Sequence, residues 1–371
     1  MALSKIRLGD YIERSTFNNH DLRYGIELIE GVTSQGIFDK PKGNPMNVDL
    51  RPYKIVNNGA FVYNPTRLNL GSIAYRTEGL CIVSHLYMVF YLSDLGKQII
   101  DPLWLYIYFR RKEFCREVTF RNFGSQRPEF NFNDMSDIEI TLPPLTIQQK
   151  YVDVYNAMLA NQQNYERGLE DLKLVCDGYI EDLRRKMPCE KIGGYIRPCD
   201  ERNSDLKIKL AQGITNDKEF ANPKQVADAE TSAKIVRKGQ FAYNRATTRN
   251  GEKISIAYRT GDDCVVSSAY QIFEISVKDK LYPEYLMMWY KRSEFDRYAR
   301  YMSKGSAHEF FEYEDMEEVE IPIPDIEIQK SIVNIYNCYI ERKRINEQLK
   351  SQIKDICPIL IKGSIEEGRK N

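Results

Sequence analysis

Histidine is scarce in this chain: His20, His85 and His308 are the only three in 371 residues, and no H-E-x-x-H pair occurs. A histidine-built metalloprotease site is thereby excluded. Neither G-x-G-x-x-G nor G-x-x-x-x-G-K-[ST] is present, so the common phosphate-cradling loops are missing too. The eight cysteines (81, 115, 176, 189, 199, 264, 338 and 357) include no C-x-x-C pair and no zinc-like spacing. They read as buried or free thiols of a cytoplasmic chain. No run of 18 apolar residues exists, and the start MALSKIRLGD carries charge where a secretory signal needs an apolar core. The expectation is a cytoplasmic protein with no membrane partner. Charge of one sign is lacking as well: 53 Lys and Arg balance 53 Asp and Glu. Non-specific coating of nucleic acid would need a basic excess, so any positive surface must be local or supplemented by a partner.

What is present is a duplication. Shifted by about 180 residues, the sequence matches itself repeatedly and collinearly. RLGDYI at 7–12 meets KIGGYI at 191–196, and KIVNNGAFVYN at 54–64 meets KIVRKGQFAYN at 234–244. IAYRT at 73–77 returns unchanged at 256–260, and CIVSHLYMVF at 81–90 returns as CVVSSAYQIF at 264–273. DPLWLYIYFRRKEF at 101–114 corresponds to YPEYLMMWYKRSEF at 282–295. FGSQRPEFNFNDM at 123–135 corresponds to KGSAHEFFEYEDM at 304–316. A period this long is a duplicated domain, not a solenoid repeat.

Within each copy, short segments rich in β-branched and aromatic residues and bounded by turns predict strands of a mixed sheet. DPLWLYIYFRRKEFCREV and its copy predict one helix with an early proline. The strand DIEITLP closes the first module, and Pro143 and Pro144 fix its exit direction. Thr146 and Gln149 fit a capping box for the helix that follows. In that helix Tyr151, Tyr155, Met158, Gln162, Tyr165, Leu169, Leu172, Cys176, Tyr179 and Leu183 step by four and three, a heptad seam that Pro188 ends. Roughly 40 residues would reach about 60 Å. The C-terminal segment has a comparable seam of Ile335, Tyr339, Leu349, Ile353, Ile356 and Leu360. Arg342 and Asn346 interrupt it as register-fixing polar residues, and Pro358 is expected to kink or end it. The fold expected is therefore α+β: a tandem mixed α/β module, each copy followed by a long α-helix, the two helices pairing as an antiparallel coiled coil. The boundaries are 1–143 and 189–324 for the modules, 144–188 and 325–371 for the helices.

Catalytic strings are imitated rather than present. PDIEIQK at 324–330 resembles a nuclease metal motif, but its carboxylate and lysine stand too close, and the copy PPLTIQQK has no acid. YNPT at 63–66 lacks the second proline and the aromatic residue of the amino-methyltransferase N-P-P-[YF]. The expectation is a non-catalytic chain with no metal site. Binding capacity sits in polar loops that differ between the copies: 31–44 against 211–224, 63–72 against 243–255, and 124–130 against 305–311. Arg, Lys, Asn and Gln read base edges with paired hydrogen bonds. The candidate DNA contacts are Thr33, Ser34, Gln35, Asn64, Arg67, Ser125, Gln126 and Arg127 in the first copy. In the second they are Thr215, Asn216, Lys218, Asn244, Arg245, Arg249, Ser306 and His308. Phe123, Phe130, Phe310 and Phe311 are expected as loop anchors.

The tandem strings GSQRPEFNFNDMSDIEITLPPLTIQQKYV and GSAHEFFEYEDMEEVEIPIPDIEIQKSIV resemble the specificity subunits of type I restriction–modification systems, over essentially the whole chain. The second string departs in having Asp325 where the first has Pro144. The resemblance implies two target-recognition domains with pseudo-two-fold symmetry, each reading half of a bipartite, asymmetric site on double-stranded DNA. It implies a helix pair that sets the unread spacer, two modification (methyltransferase) subunits along the helices, and motor–nuclease restriction subunits on that core. S-adenosylmethionine, ATP and Mg²⁺ would then belong to the partners, with none in this chain. Two other readings stay open: the specificity subunit of a related methylation-based or type II system, and a two-module protein-binding scaffold with no DNA role.

Overall fold

Alternation along one short strand organises each module. Phe61 and Tyr63 turn to one side of their sheet and Val62 to the other, so each side gathers its own apolar cluster. Phe241, Tyr243 and Ala242 repeat the pattern in the second copy. The computed structural model describes residues 3–41, 43, 48–121, 129–223, 232–247, 253–305 and 309–370. The chain divides into a first unit, Met1–Tyr165 with Ile345–Asn371, and a second unit, Glu166–Arg344.

The first unit runs β1 (Ser4–Arg7), β2 (Ile12–Arg14), β3 (Gly31–Val32), β4 (Phe38–Asp39), β5 (Lys54–Val56), β6 (Phe61–Tyr63), β7 (Ile73–Tyr75), β8 (Cys81–Val83) and β9 (Met88–Leu92). The helices α1 (Asp94–Ile99), α2 (Pro102–Phe109), α3 (Lys112–Arg121) and α4 (Phe132–Ser136) follow, then β10 (Glu139–Leu142) and α5 (Leu145–Lys186). The main sheet has the order β2-β9-β6-β7, with smaller pairs β1-β10, β3-β4 and β5-β8. Every ladder is antiparallel, and parallel pairing among the described residues is confined to single bridges such as Ile29–Ile82. The expected mixed sheet is corrected accordingly: partners distant in sequence, such as β2 with β9 and β1 with β10, also run in opposite directions.

Phe61 stacks on Phe90 at 5.0 Å, and α2 and α3 cover that face with Trp104, Leu105, Phe109, Phe114 and Val118. The single helix expected over 101–118 is thus two. It breaks at Arg110 and Arg111, where Arg110 caps α2 and sends its side chain into the loops described below.

The second unit repeats the plan with β11 (Cys189–Lys191), β12 (Ile196–Cys199), β13 (Gly213–Ile214), β14 (Phe220–Ala221), β15 (Lys234–Val236), β16 (Gln240–Asn244), β17 (Ile256–Tyr258), β18 (Cys264–Val266) and β19 (Tyr270–Ile275). Then come α6 (Pro283–Tyr290), α7 (Ser293–Met302), α8 (Tyr313–Glu317), β20 (Glu320–Pro322) and α9 (Ile326–Lys370). The sheet order β12-β19-β16-β17 and the Phe241–Phe273 stack, again 5.0 Å, reproduce the first copy.

The proline joins are held by a buried glutamine. Gln148 Nε2 donates to the carbonyls of Ile99 (2.8 Å) and Pro143 (2.7 Å), and its Oε1 accepts from the Asp101 amide (2.8 Å). Gln329 makes the same three bonds with Lys280, Pro324 and Tyr282. The capping box expected from Thr146 and Gln149 does not form. Helix α5 already begins at Leu145, and the Gln149 amide donates to Asp153 instead.

The long helices pack antiparallel inside each unit. In the first, Val152 and Tyr155 of α5 and Ile353, Cys357, Leu360 and Ile361 of α9 join the module core. Trp104 Nε1 donates to Ser364 Oγ at 3.0 Å, and Lys150 pairs with Glu367 at 2.9 Å. Buried Gln162 donates to buried Asn346 at 3.0 Å, a polar layer in an apolar seam. In the second unit Ile180, Ile332 and Val333 belong to the core, with Leu183 and Tyr336 packed against it.

The seam residues Tyr155, Leu169 and Ile353 are buried, while Met158, Leu172, Leu183, Ile335, Tyr339, Leu349 and Ile356 are half-buried. Tyr179 is corrected: it is 42 % exposed, and Ile180, 2 % exposed, takes the inward place. After Cys176 the inward stripe advances by four residues rather than three, as a helix of 3.6 residues per turn permits. Pro358 lies inside α9 rather than ending it. Apolar packing on both sides of it, from Cys357, Leu360 and Ile361, holds the helix on through the missing hydrogen bond.

Candidate nucleic-acid interface

In each unit, segments far apart in sequence meet at one edge of the module. The hairpin turn after β3 closes through Gly36 N donating to Thr33 O (3.0 Å) and Thr33 N to Ile37 O (3.0 Å). After β13 the same turn forms, with Lys218 N donating to Thr215 O (3.0 Å) and Thr215 N to Glu219 O (2.9 Å). Gly36 (φ +78°) and Lys218 (φ +64°) occupy the same left-handed position. A second turn starts at an asparagine in each copy. Asn64 Oδ1 accepts from Thr66 N and Asn244 Oδ1 from Ala246 N, both at 3.1 Å.

Side chains tie the two turns together. In the first unit Ser72 Oγ donates to Val32 O at 2.8 Å; in the second Ser255 Oγ donates to Asn216 Oδ1 at 3.2 Å. A third segment joins them. Phe130 N donates to Pro65 O at 3.0 Å, and Phe311 N to Arg245 O at 2.9 Å. Arg245 also pairs with Glu312 at 3.1 Å, and Thr247 Oγ1 bonds Glu309 O and Ser303 Oγ. Phe130 and Phe311 are fully buried, so both anchor this segment to the core.

The candidate side chains fall into three groups. Ser34, Gln35, Arg67 and Asn216 are exposed, and Thr33, Thr215, Asn64, Asn244 and Arg245 are half-buried at the same edge. Lys218 turns inward instead: it is 5 % exposed, and its ammonium donates to Tyr290 O and Asp296 Oδ1. Burial is the stronger influence on it and lowers its pKa, against the opposing pull of Asp296. Ser125, Gln126, Arg127, Arg249, Ser306 and His308 lie outside the described residues, as does Phe123.

Two residues escaped the sequence reading. Phe120 on α3 and Tyr301 on α7 stand at equivalent positions and are 82 % and 86 % exposed. Each lies in the last turn before a G-S loop. Continuing the ungapped match of 101–114 with 282–295 by six residues would have paired them.

No group of three or more His, Cys, Asp or Glu among the described residues could hold a metal ion, and no helix there is long and apolar enough to cross a membrane. Each unit thus presents polar side chains from paired loops at one edge of a duplicated scaffold. The family profile for the type I restriction modification DNA specificity domain matches residues 9–170 and 210–355, and the chain belongs to that family of non-catalytic specificity subunits. Its fold is shared by solved structures of low sequence identity. A structure titled for complex assembly and conformational transition of the type I R-M system aligns at 17 % identity over 98 % of this chain and 97 % of the other, with a TM-score of 0.56. The type I system S subunit from M. genitalium aligns at 12 % identity, 98 % and 96 % coverage and a TM-score of 0.56. The HsdS subunit from Thermoanaerobacter tengcongensis aligns at 16 % identity, 98 % and 96 % coverage and a TM-score of 0.46. No curated protein sequence matches the chain.

Proposed function

We propose that the chain reads a bipartite, asymmetric site on double-stranded DNA, one half-site for each unit, and that α5 and α9 set the unread spacer between the halves. The observation that supports this reading is the convergence of two polar turns at one edge in both units, on matching backbones that present different side chains. Ser34, Gln35, Arg67, Asn216 and Arg245 are the accessible candidates for base and phosphate contacts at that edge. Two modification subunits and the motor–nuclease restriction subunits would assemble on this chain in the cytoplasm. S-adenosylmethionine, ATP and Mg²⁺ would be held by those partners. A neutral chain suits such sharing, because subunits that close around the duplex divide the phosphate contacts among them.

Long-read mapping of methylated adenine tests the reading, in a host expressing this chain with its modification subunit and in the same host without it. The expected result is a new motif in two halves with a fixed gap. Exchange of residues 1–143 for the matching segment of another specificity subunit is expected to change one half only. A soluble, associated pair that adds no motif would overturn the DNA reading in favour of a protein scaffold.

A further inference from the structure

The two turns of each recognition edge are tied not only to one another but to the helices behind them, and the polarity of that tie is reversed between the copies. In the first unit the tie is a cation. Arg110, at the end of α2, donates through Nη1 to Gly71 O and through both Nη1 and Nη2 to Ser34 O at 3.3 Å. One guanidinium thus spans both turns, and Tyr106 Oη adds a bond to Gly36 O at 3.0 Å. A Cβ at Gly36 would meet the Arg110 guanidinium at 2.6 Å, so a side chain there would push the guanidinium off the carbonyls it binds.

In the second unit the position equivalent to Arg110 is Lys291, which is exposed, and Met287 stands where Tyr106 does. Here the tie is an anion. Asp296 on α7 accepts from Lys218 Nζ of one turn (2.7 Å) and from the Ile254 amide of the other (3.2 Å), all buried. Cys115 holds the equivalent position in the first unit. Arg110 with Gly36 and Cys115, or Lys291 with Lys218 and Asp296, are therefore two complete solutions to one packing problem. A mixture would put an unpaired charge beside an occupied space.

We propose that Arg110 in the first unit and the Lys218–Asp296 pair in the second are positioning residues for DNA recognition, each clamping two reading turns into one rigid surface. This rests on the reading that those turns contact DNA. A clamp acts by holding base-reading groups at a fixed distance and angle from one another, without touching the duplex itself. Loss of it leaves the side chains present but frees the turns from the helices, with the Ser72 or Ser255 hydrogen bond as a remaining link between them.

The test uses the full chain assembled with its modification subunit and the variants Arg110→Met and Asp296→Asn. Hydrogen exchange is read first, with no DNA. Arg110→Met is expected to speed exchange in 31–39 and 64–72 alone, and Asp296→Asn in 213–221 and 244–256 alone; unchanged exchange overturns the clamp. Methylation of DNA carrying single-base changes in either half is read next. Each variant is expected to lose about tenfold in discrimination against a wrong base in its own half-site, with the other half unchanged. Faster exchange with undiminished discrimination would confine these residues to a structural role and overturn the positioning claim. Should Arg110→Met fail to fold, Arg110→Lys keeps the charge but loses the fork, and is expected to give a smaller effect of the same kind. The underlying reading is judged separately: if exchanging residues 1–143 leaves both half-sites unchanged, that reading fails whatever the clamp does.

Discussion

Gln148 and Gln329 show how much one side chain can hold. Each is fully buried and uses its whole amide to bind three backbone groups that come from two places, the proline join and the segment that leads into α2 or α6. Replacing Gln148 by Ala would strand two carbonyls and one amide away from water, at a cost of about 3 kcal/mol. The expected outcome is a lower urea midpoint for the first unit, resolved by hydrogen exchange across 99–104 and 143–152, with the second unit unaffected. Gln148→Glu is expected to be at least as damaging, because a carboxylate cannot donate to Ile99 O and Pro143 O. Gln148 in PPLTIQQK and Gln329 in PDIEIQK occupy matching places in the strings that carry the family resemblance, but the match gave no role for them. That role depends on which residue faces the module, and three-dimensional placement alone decides that. The inward turn of Lys218 was hidden for the same reason: a lysine in a polar loop reads as solvated until Asp296 is found behind it.

At the scale of elements, the polar layer in the helix seam is open to a direct test. Gln162→Leu alone takes the Gln162 Nε2 donor from the buried Asn346 Oδ1 and is expected to cost about 1–3 kcal/mol. The double replacement, with Asn346→Leu added, removes both polar groups and is expected to recover most of that loss, so a double-mutant cycle in thermal melts should show a coupling of opposite sign. The second unit also carries an ionic cluster that the first lacks. Arg237 pairs with Glu201 and Asp263, and it holds both carboxyls below their ordinary range. Asn57 and Leu80 stand at the positions of Arg237 and Asp263 in the first copy. A depressed carboxyl contributes stability above its unfolded pKa of about 4 and loses it as the pH falls through the lower folded value. Protection factors, measured against intrinsic exchange between pH 5 and pH 3, are therefore expected to fall more in 199–201 and 236–264 than in the matching segments of the first unit. Strands and long helices were legible from period and from the repeat. The break at Arg110 was not, because no Pro or Gly marks it.

For the whole molecule, the proposed spacer role makes a numerical prediction. Removing one heptad from α5 and one from α9, from the facing stretches 156–162 and 346–352, is expected to shorten the unread gap while both half-sites keep their bases, read as a changed interval in the methylation motif. A change of base identity instead would refute it. The duplication was legible because identical strings survive in register. Less legible was that Ile345–Asn371 completes the core of the first module rather than the second. That placement has a consequence for the chain as it is made. Residues 166–344, which build the second unit, leave the ribosome before Ile353, Cys357 and Leu360, which the first unit needs. The first module is thus the later of the two to close, and its nascent chain carries an open apolar seam until Ile353, Cys357 and Leu360 have been made.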